Sequence, residues 1–322
     1  MANRRWPMGG MSIRKPALVV HADWSKDPRK RWCAAAALEA GGHYLASAPT
    51  AVGSLLTYFS RLRRSVGAGA SVFTGFDFPI GLPERYATKV GLTDFRAALP
   101  RFGRDEWRHF YEPARSQSDI SATRPFYPAG DSTGTKRKHL VDALGLADNS
   151  DLKRRCERGA EALFWLVGAK QVGKAAISGW RNLLAPASAF DASLSIWPFD
   201  GRLSDLLARP GIVVAETYPA DTYRHLDLAI SQSGRKKGRR PDRAADASRM
   251  RAWAHTNGVR LTGQLKDEID DGFGPGSDGE DRFDAVVGLF GMLDVVLGNL
   301  ASGEPRDDTT KIEGWILGYA DT

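Results

Sequence analysis

The amino-acid sequence predicts an α/β protein with a mixed sheet of five strands, flanking helices and a large insertion between the fourth and fifth strands. Short apolar segments of strand length alternate with segments that carry apolar residues at helical spacing. Three strand-like segments end on an acidic residue, and a later helical segment begins with a pair of acids. The alternation defines the fold class, and the acids give the first indication of a site.

The order of the predicted elements is three strands, a helix, a strand, the insertion, a strand and two helices. The strands cover residues 17–22, 31–39, 43–48, 71–78 and 212–218. The helices cover residues 50–66, 244–257 and 280–300. Thr50 is the expected cap of the first helix, and Pro79 and Pro219 end the last two strands.

Three regions follow from this pattern. Residues 1–14 are basic and rich in Gly, and we expect a flexible N-terminal arm. Residues 15–84 together with 211–322 hold the predicted strands and form the core. Residues 85–210 are rich in helix formers, aromatic residues and basic residues, which indicates a mostly helical insertion.

Composition favours a globular protein with an anionic partner. The chain has 322 residues, of which 42% are hydrophobic and 26% are charged, and its formal net charge is +7. Such a charge favours nucleic acid as a partner. Only Cys33 and Cys156 are present, so we expect a reducing cytoplasmic location without a disulfide framework. The apolar run after the basic N-terminus is too short for a signal peptide or a membrane span, so no membrane partner is expected.

The acids at the ends of apolar segments are candidate metal ligands. Asp23, Asp77 and Glu216 end predicted strands, while Asp281 and Asp284 share a face in the expected first turn of the last helix. Ionised carboxylates among apolar residues are costly unless a cation or hydrogen bonds compensate them. Strand ends of α/β sheets converge on ligand sites, and Mg²⁺ and Mn²⁺ prefer oxygen ligands. The pattern therefore predicts one shared site for Mg²⁺ or Mn²⁺.

Each acid also has a structural interpretation. Asp23 could be a turn residue at the end of its strand, and Glu216 could pair with one of the many arginines. Asp281 could be an ordinary acid at a helix N-terminus, with Asp284 as the ligand. Small residues at Ala285, Gly288 and Gly291 would let this helix pack closely against the sheet.

The order of elements resembles the ribonuclease H-like fold. The motif Asp281-Arg-Phe-Asp284-Ala is similar to the last acidic motif of the Holliday-junction resolvase branch. More closely, Asp23, the Phe76-Asp-Phe-Pro-Ile-Gly-Leu-Pro83 segment, Glu216-Thr-Tyr-Pro219 and the 281–285 motif together look like a bacterial family of unknown function, described as predicted nucleases of this fold. Many members have a Gly soon after the first acid, whereas this chain has Trp24-Ser-Lys there.

This resemblance implies a carboxylate site for two divalent ions. Asp23 and Asp77 would be metal ligands, Asp284 would complete the site, and Asp281 or Glu216 would assist. The implied activity is hydrolysis of phosphodiester bonds in DNA or RNA, with Asp23, Asp77 and Asp284 as the catalytic residues.

Basic residues near the predicted site are candidate contacts for nucleic-acid phosphates, which bind Lys and Arg without sequence preference. The candidates are Lys26, Arg29, Lys30, Lys170, Lys174, Arg181, Arg235, Lys236 and Lys237. Each group of neighbouring basic residues, taken alone, is more often a solvated surface. One alternative function is a non-catalytic nucleic-acid-binding protein of the same fold.

A glycine-rich segment gives a second alternative. Gly168-Ala-Lys-Gln-Val-Gly-Lys174 has the spacing of a phosphate-binding P-loop, and an apolar run precedes it. Ala175 stands where that motif needs the Ser or Thr that binds Mg²⁺, and residues 156–167 also fit a helix. A nucleotide-hydrolysing or phosphotransfer enzyme using this loop remains the alternative to a nuclease.

Overall fold

The computed structural model describes residues 13–130, 133–156, 162–168, 171–232, 234–305 and 307–320. Within these ranges the protein is α/β, and eight strands form one mixed sheet. The strands are β1 (Leu18–Asp23), β2 (Trp32–Leu38), β3 (Tyr44–Ala46), β4 (Thr50–Ala51), β5 (Ser71–Phe76), β6 (Leu194–Ile196), β7 (Gly211–Glu216) and β8 (Arg260–Leu261). The predicted arm, 1–14, lies outside the described residues up to residue 12.

The sheet has a parallel centre. Its order is β6-β7-β5-β1-β2-β3-β8, and β4 pairs with β2. Neighbours among β6, β7, β5 and β1 are parallel, whereas β2 is antiparallel to both β1 and β3. Because β1, β5 and β7 run in the same direction, their carboxyl ends meet at one edge, where α/β proteins place ligands.

All five predicted strands are present, but the prediction of a five-stranded sheet is wrong. The strands that were missed, β4, β6 and β8, have only two or three residues each, too few to show a periodic pattern. The predicted helix over 50–66 is also wrong in its first part. Thr50 belongs to β4, and Gly53 has a left-handed backbone with φ of 71°, so the α-helix begins only at Tyr58.

Most helices in the described part are short. They are α1 (Tyr58–Arg64), α2 (Glu84–Lys89), α3 (Phe95–Ala98), α4 (Arg137–Leu144), α5 (Gly173–Gly179), α6 (Ala185–Phe190), α7 (Leu203–Leu207), α8 (Pro219–His225), α9 (Arg240–Ala244), α10 (Ala247–Thr256), α11 (Gly263–Asp271), α12 (Gly276–Val296) and α13 (Thr310–Glu313). A π-helical turn, Trp180–Leu184, joins α5 to α6. No helix in the described ranges combines the length and the apolar character needed to cross a membrane.

In the segment 85–210, α7 and Trp197 contribute to the core on one face of the sheet, and most of the other buried residues that the structure describes pack on the other face. Val20 and Phe76 on that face belong to the same buried cluster as Phe164 and Trp180 of this segment. The segment also supplies β6, which extends the sheet beside β7. Apart from β6, the named elements described within this segment are helical, including the continuous run from α5 through the π-helical turn to α6.

The opposite face of the sheet is covered by α12, which packs very close to β1. A Cβ atom at Gly288 would lie 2.2 Å from the ring of His21, and one at Gly291 would lie 2.4 Å from Oγ1 of Thr222 in α8. His21 is fully buried, and its Nδ1 lies 3.1 Å from the carbonyl oxygen of Ala285. The predicted close packing through small residues is confirmed, with Gly288 against the sheet and Gly291 against α8.

Candidate functional site

Asp23 and Asp77 lie side by side at the carboxyl edge of the sheet. Ala22 of β1 is paired with Phe76 of the parallel strand β5, so the two acids that follow are level. Alternate strand residues face the same side, and Val19 and Phe73 show that this is the side covered by α12. The two carboxyl groups are close enough to share a hydrogen bond, and the backbone N–H of Trp24 donates to Oδ1 of Asp77 at 2.6 Å.

Helix α12 brings Asp284 to the same cluster. The Tyr223 hydroxyl in α8 donates to Oδ1 of Asp284, which is only 4% exposed. Its charge raises the pKa of both Asp23 and Asp77, after the larger effect of burial. The structure thus brings the three predicted catalytic acids together from three separate elements.

The position of the acids within α12 differs from the prediction. The helix begins at Gly276, so Asp281 and Asp284 lie in its second and third turns instead of the first. The helix dipole acts mainly on the first turn, and it therefore contributes little to stabilising these two charges.

Burial makes the cluster an unfavourable place for several negative charges. It raises the pKa of Asp77 to about 7, with a smaller contribution from Asp284. Burial, then the charges of Asp77 and Asp284, raise the pKa of Asp23 well above its usual range. Two adjacent buried carboxyl groups of this kind keep a proton between them at neutral pH unless a cation neutralises them.

Lys237 supplies a positive charge inside the cluster, where the sequence placed it only among surface contacts for phosphates. Its Nζ lies 2.6 Å from Oδ2 of Asp284 and 3.1 Å from Oε1 of Glu280. Burial lowers the pKa of Lys237, but the charges of Asp284 and Glu280 outweigh it and raise the pKa above its usual value. The ammonium group is therefore a firm counter-ion of Asp284.

Asp281 lies at the rim of the cluster. Burial raises its pKa to about 6, whereas the charge of Lys30 acts in the opposite direction. Its Oδ2 is buried and has no hydrogen-bond partner among the described residues. Asp281 therefore carries an unsatisfied acceptor next to the three central acids.

Glu216 is not part of the cluster, which corrects the prediction that it ligates a metal. It pairs with Phe76 across β5 and β7, one residue before the level of Asp77, so its side chain points to the opposite face of the sheet. There Arg154 donates to both of its carboxylate oxygens, at 2.7 and 2.5 Å, and the N–H of Ile80 donates at 2.6 Å. The alternative interpretation, an ion pair with an arginine, is confirmed.

This ion pair holds the segment that follows Asp77. Arg154 also donates to the carbonyl oxygens of Ile80 and Glu313, at 3.2 and 3.0 Å. Gly81 has φ of 136°, and a Cβ atom there would lie 2.1 Å from the carbonyl oxygen of Glu313. The glycine of the Pro-Ile-Gly-Leu-Pro sequence after Asp77 is therefore needed for a close backbone contact. The roles of Arg154, Glu313 and Tyr223 were not identified from the sequence.

The acids open onto a cavity of about 420 Å³. Its lining includes Asp77, Asp284 and Lys237 of the cluster, together with Gln171 and Val172 just before α5. This volume is within the range of small-molecule sites in proteins. A ligand in the cavity would contact both the acid cluster and the start of α5.

The predicted basic residues divide into several groups. Lys30 lies near Asp281, and Lys26 lies near Lys174, whose pKa is lowered by burial and then by the charge of Lys26. Arg29 and Arg235 are exposed and paired with acids, and Lys236 and Arg181 are exposed. Lys170 lies outside the described residues. Lys30 and Lys237 thus place positive charge beside the acid cluster, whereas Lys26 and Lys174 lie near each other.

The glycine-rich loop lacks the context of a P-loop in the described residues. Such a loop connects a strand of the sheet to a helix. Here Trp165 forms an isolated bridge with Tyr127 outside the sheet, and α5 begins at Gly173. Residues 162–167 form a turn and this bridge, so the predicted helix over 156–167 is wrong for them as well.

Comparison with known proteins adds no assignment: the chain matches no family model, no curated protein and no solved structure. In the described part of the chain, no three His, Cys, Asp or Glu residues are arranged so that they could hold a metal ion. The cation that contacts Asp284 in this arrangement is the ammonium group of Lys237.

Proposed function

We propose that the protein is a divalent-metal-dependent nuclease, which hydrolyses phosphodiester bonds of DNA or RNA. The observation that carries the proposal is the convergence of Asp23, Asp77 and Asp284 in one buried cluster beside a cavity. Buried acids with raised pKa values beside a cavity are concentrated at functional sites. Their burial lowers the stability of the fold, so such an arrangement is retained where it serves a function. The positive charges of Lys237 and Lys30 beside the cluster, together with the net charge of +7, support an anionic polymer as the substrate.

The ligand type suits Mg²⁺ or Mn²⁺, but the described arrangement does not group three such ligands around one position, so metal binding would require the acid side chains to rearrange. The three central acids and Asp281 offer only oxygen atoms, the ligand type that these ions prefer, and Oδ2 of Asp281 has no other partner in the described part. Asp23, Asp77 and Asp284 would hold the metal, with Asp281 assisting from the rim. A bound divalent ion supplies Lewis acidity toward the phosphate and activates a water molecule.

The protein's own groups orient these ligands. The Trp24 N–H fixes Asp77, and the Tyr223 hydroxyl fixes Asp284. Lys237 balances the charge of Asp284, and a divalent ion held by the acids would take over that role. Its ammonium group also lines the cavity, where it can neutralise a substrate phosphate.

The arrangement of elements supports a ribonuclease H-like core as the fold class. A meander, β1 to β3, is followed by α1, by the parallel strands β5 and β7, and finally by α12 with its acids. Strands β4, β6 and β8 are additions at the edges of this core. This proposal concerns the fold, and the acid cluster carries the proposal of activity independently.

The test is cleavage of labelled single-stranded, duplex, hybrid and branched nucleic acids with Mg²⁺ or Mn²⁺. We expect cleavage by the wild type, and loss by at least a hundredfold in Asp77→Asn and Asp284→Asn. Asp270→Asn is the matched control, because it removes an exposed carboxylate that pairs with Arg251 outside the cluster. Equal cleavage by all three folded variants would contradict the proposal.

Two other outcomes would replace it. ATP hydrolysis that is lost in Lys174→Ala, without nucleic-acid cleavage, would favour the phosphotransfer alternative. Salt-sensitive binding of nucleic acid, without any hydrolysis, would favour a non-catalytic binding protein.

A further inference from the structure

A second cavity, of about 220 Å³, lies beside the helical run that contains α5 and α6. Three arginines line it: Arg104, Arg108 and Arg181. Tyr111 and Glu112 complete the polar part of its wall. None of these residues belongs to the acid cluster, and the proposed hydrolysis does not use them.

Tyr111 lines this cavity and has an unsatisfied hydroxyl group. The residue is 5% exposed, and its Oη is buried with no hydrogen-bond partner in the described part of the chain. Its ring is fixed by an edge contact with Phe110 and by Gly103, where a Cβ atom would lie 3.2 Å from the ring. A buried hydroxyl without a partner costs stability, so a ligand that accepts its hydrogen bond is favoured.

The charges around this hydroxyl are mainly positive. Arg181 is close enough to lower the pKa of Tyr111, although burial has the larger effect and raises it. Arg104 and Arg181 have no ion-pair partner among the described residues, and the Nε of Arg108 donates to His109. The carboxylate of Glu112 lies 2.8 Å from Nδ1 of His109 and is held by this hydrogen bond. An anion in the cavity would therefore meet guanidinium groups, one neutral hydroxyl donor and the Glu112 carboxylate, whose charge His109, Arg124 and Arg181 offset.

We propose that Arg104, Arg108, Arg181 and Tyr111 form a phosphate-binding site, here called the arginine pocket. Guanidinium groups bind phosphate oxygens in pairs of hydrogen bonds, and a tyrosine hydroxyl adds a directed donor. The phosphate belongs either to a free nucleotide or to the backbone of a nucleic-acid strand, and the binding chemistry is the same for both.

The position of the arginine pocket suits a nucleic-acid strand that also reaches the acid cluster. Ala175 lines the first cavity and Arg181 lines the second, both on one continuous helical run. Six residues of helix span roughly 9 Å. The proposal that the phosphate belongs to a nucleic-acid strand rests on the proposed nuclease function. The proposal of the arginine pocket itself does not.

The test measures binding of inorganic phosphate, a nucleoside monophosphate and a labelled single-stranded oligonucleotide by calorimetry and fluorescence anisotropy. We expect Arg181→Gln to weaken binding of at least one probe by about tenfold and Tyr111→Phe by about threefold, because each removes a donor to a charged ligand. Arg209→Gln, an exposed arginine outside the cavity, is the matched control and should bind as the wild type does. Thermal unfolding of each variant shows that it is folded.

The probes separate the sources. Weakened binding of phosphate and the nucleotide supports a free-nucleotide site, while weakened binding of the oligonucleotide alone supports a backbone site. Equal affinities of wild type and both variants for every probe, or no binding of any probe by the wild type, would overturn the proposal. All binding measurements are made in EDTA, which prevents the proposed metal-dependent hydrolysis and keeps the result independent of the nuclease activity.

Discussion

The ammonium group of Lys237 lies 2.6 Å from Oδ2 of Asp284, at the centre of a group of buried acids. A lysine in this position stabilises negative charges that α12 and the sheet force together. It also competes with any divalent cation for the same carboxylate. The stability of the protein and its affinity for metal are therefore linked through one ion pair.

Replacing Lys237 tests this link. In EDTA, Lys237→Gln should lower the free energy of unfolding by about 1–2 kcal/mol, a value discounted because the side chain is 44% exposed. Mg²⁺ should then stabilise the variant more than the wild type, because no ammonium group has to be displaced. Urea denaturation with and without Mg²⁺ measures both effects. Lys236→Gln, at an exposed neighbour, is the control, and an equal response of the two variants would refute the link.

Asp77→Asn should make the metal-free protein more stable. Burial raises the pKa of Asp77 to about 7, so its ionised form opposes folding near neutral pH. The amide keeps an oxygen for the Trp24 N–H and removes the charge. We expect a gain on the order of 1–2 kcal/mol in EDTA and a loss of stabilisation by Mg²⁺. Thermal unfolding measures the change. A less stable variant in EDTA would show that the ionised Asp77 carboxylate does not destabilise the fold.

Glu216→Gln should act on the fold and not on the metal. The change leaves Arg154 buried without its full counter-charge, which costs about 3 kcal/mol when a buried pair is broken. Stabilisation of the folded variant by Mg²⁺ should remain as large as in the wild type. Glu39→Gln, which breaks an exposed pair with Arg260, should change stability by less than about 1 kcal/mol. Loss of the stabilisation by Mg²⁺ in Glu216→Gln would indicate that Glu216 contributes to metal binding after all.

His21 should make the fold sensitive to mild acid. Burial lowers the pKa of His21 from 6.5 to about 4, so the unfolded chain binds a proton between these values and the folded protein does not. Its contribution is complete above pH 6.5 and is lost as the pH falls toward 4, by about 2 kcal/mol at pH 5. Denaturation of the wild type and of His21→Gln at pH 7 and pH 5 measures it. An equal loss of stability in both proteins would mean that other groups cause the acid sensitivity.

The sequence predicted the strands that matter and the three acids that meet, because an acid directly after an apolar run is visible without a structure. It could not separate Glu216 from Asp77. Both faces of β7 are buried, so Ile212, Val213 and Val214 show no alternation from which the direction of the glutamate could be determined. Only the register of β5 against β7 reveals the difference of one residue.

Other errors have equally local causes. The start of α12 was missed because Gly276-Ser-Asp-Gly279 looks like a loop, and a helix through two glycines is decided by packing. Lys237 and Asp284 are 47 residues apart, and nothing in a basic loop indicates which acid it will contact. Contacts between distant segments, such as that of Arg154 with Glu216, are set by tertiary structure alone.

The contact of Gly81 with Glu313 has a consequence for the order in which the molecule is completed. The N–H of Leu82 donates to the carbonyl oxygen of Ile312 at 2.8 Å, so the turn after Asp77 takes its final shape only when residues 312–314 are in place. During synthesis the sheet strands emerge long before that segment. A growing chain can therefore hold most of its strands while the turn after Asp77 still lacks its contacts with residues 312–314.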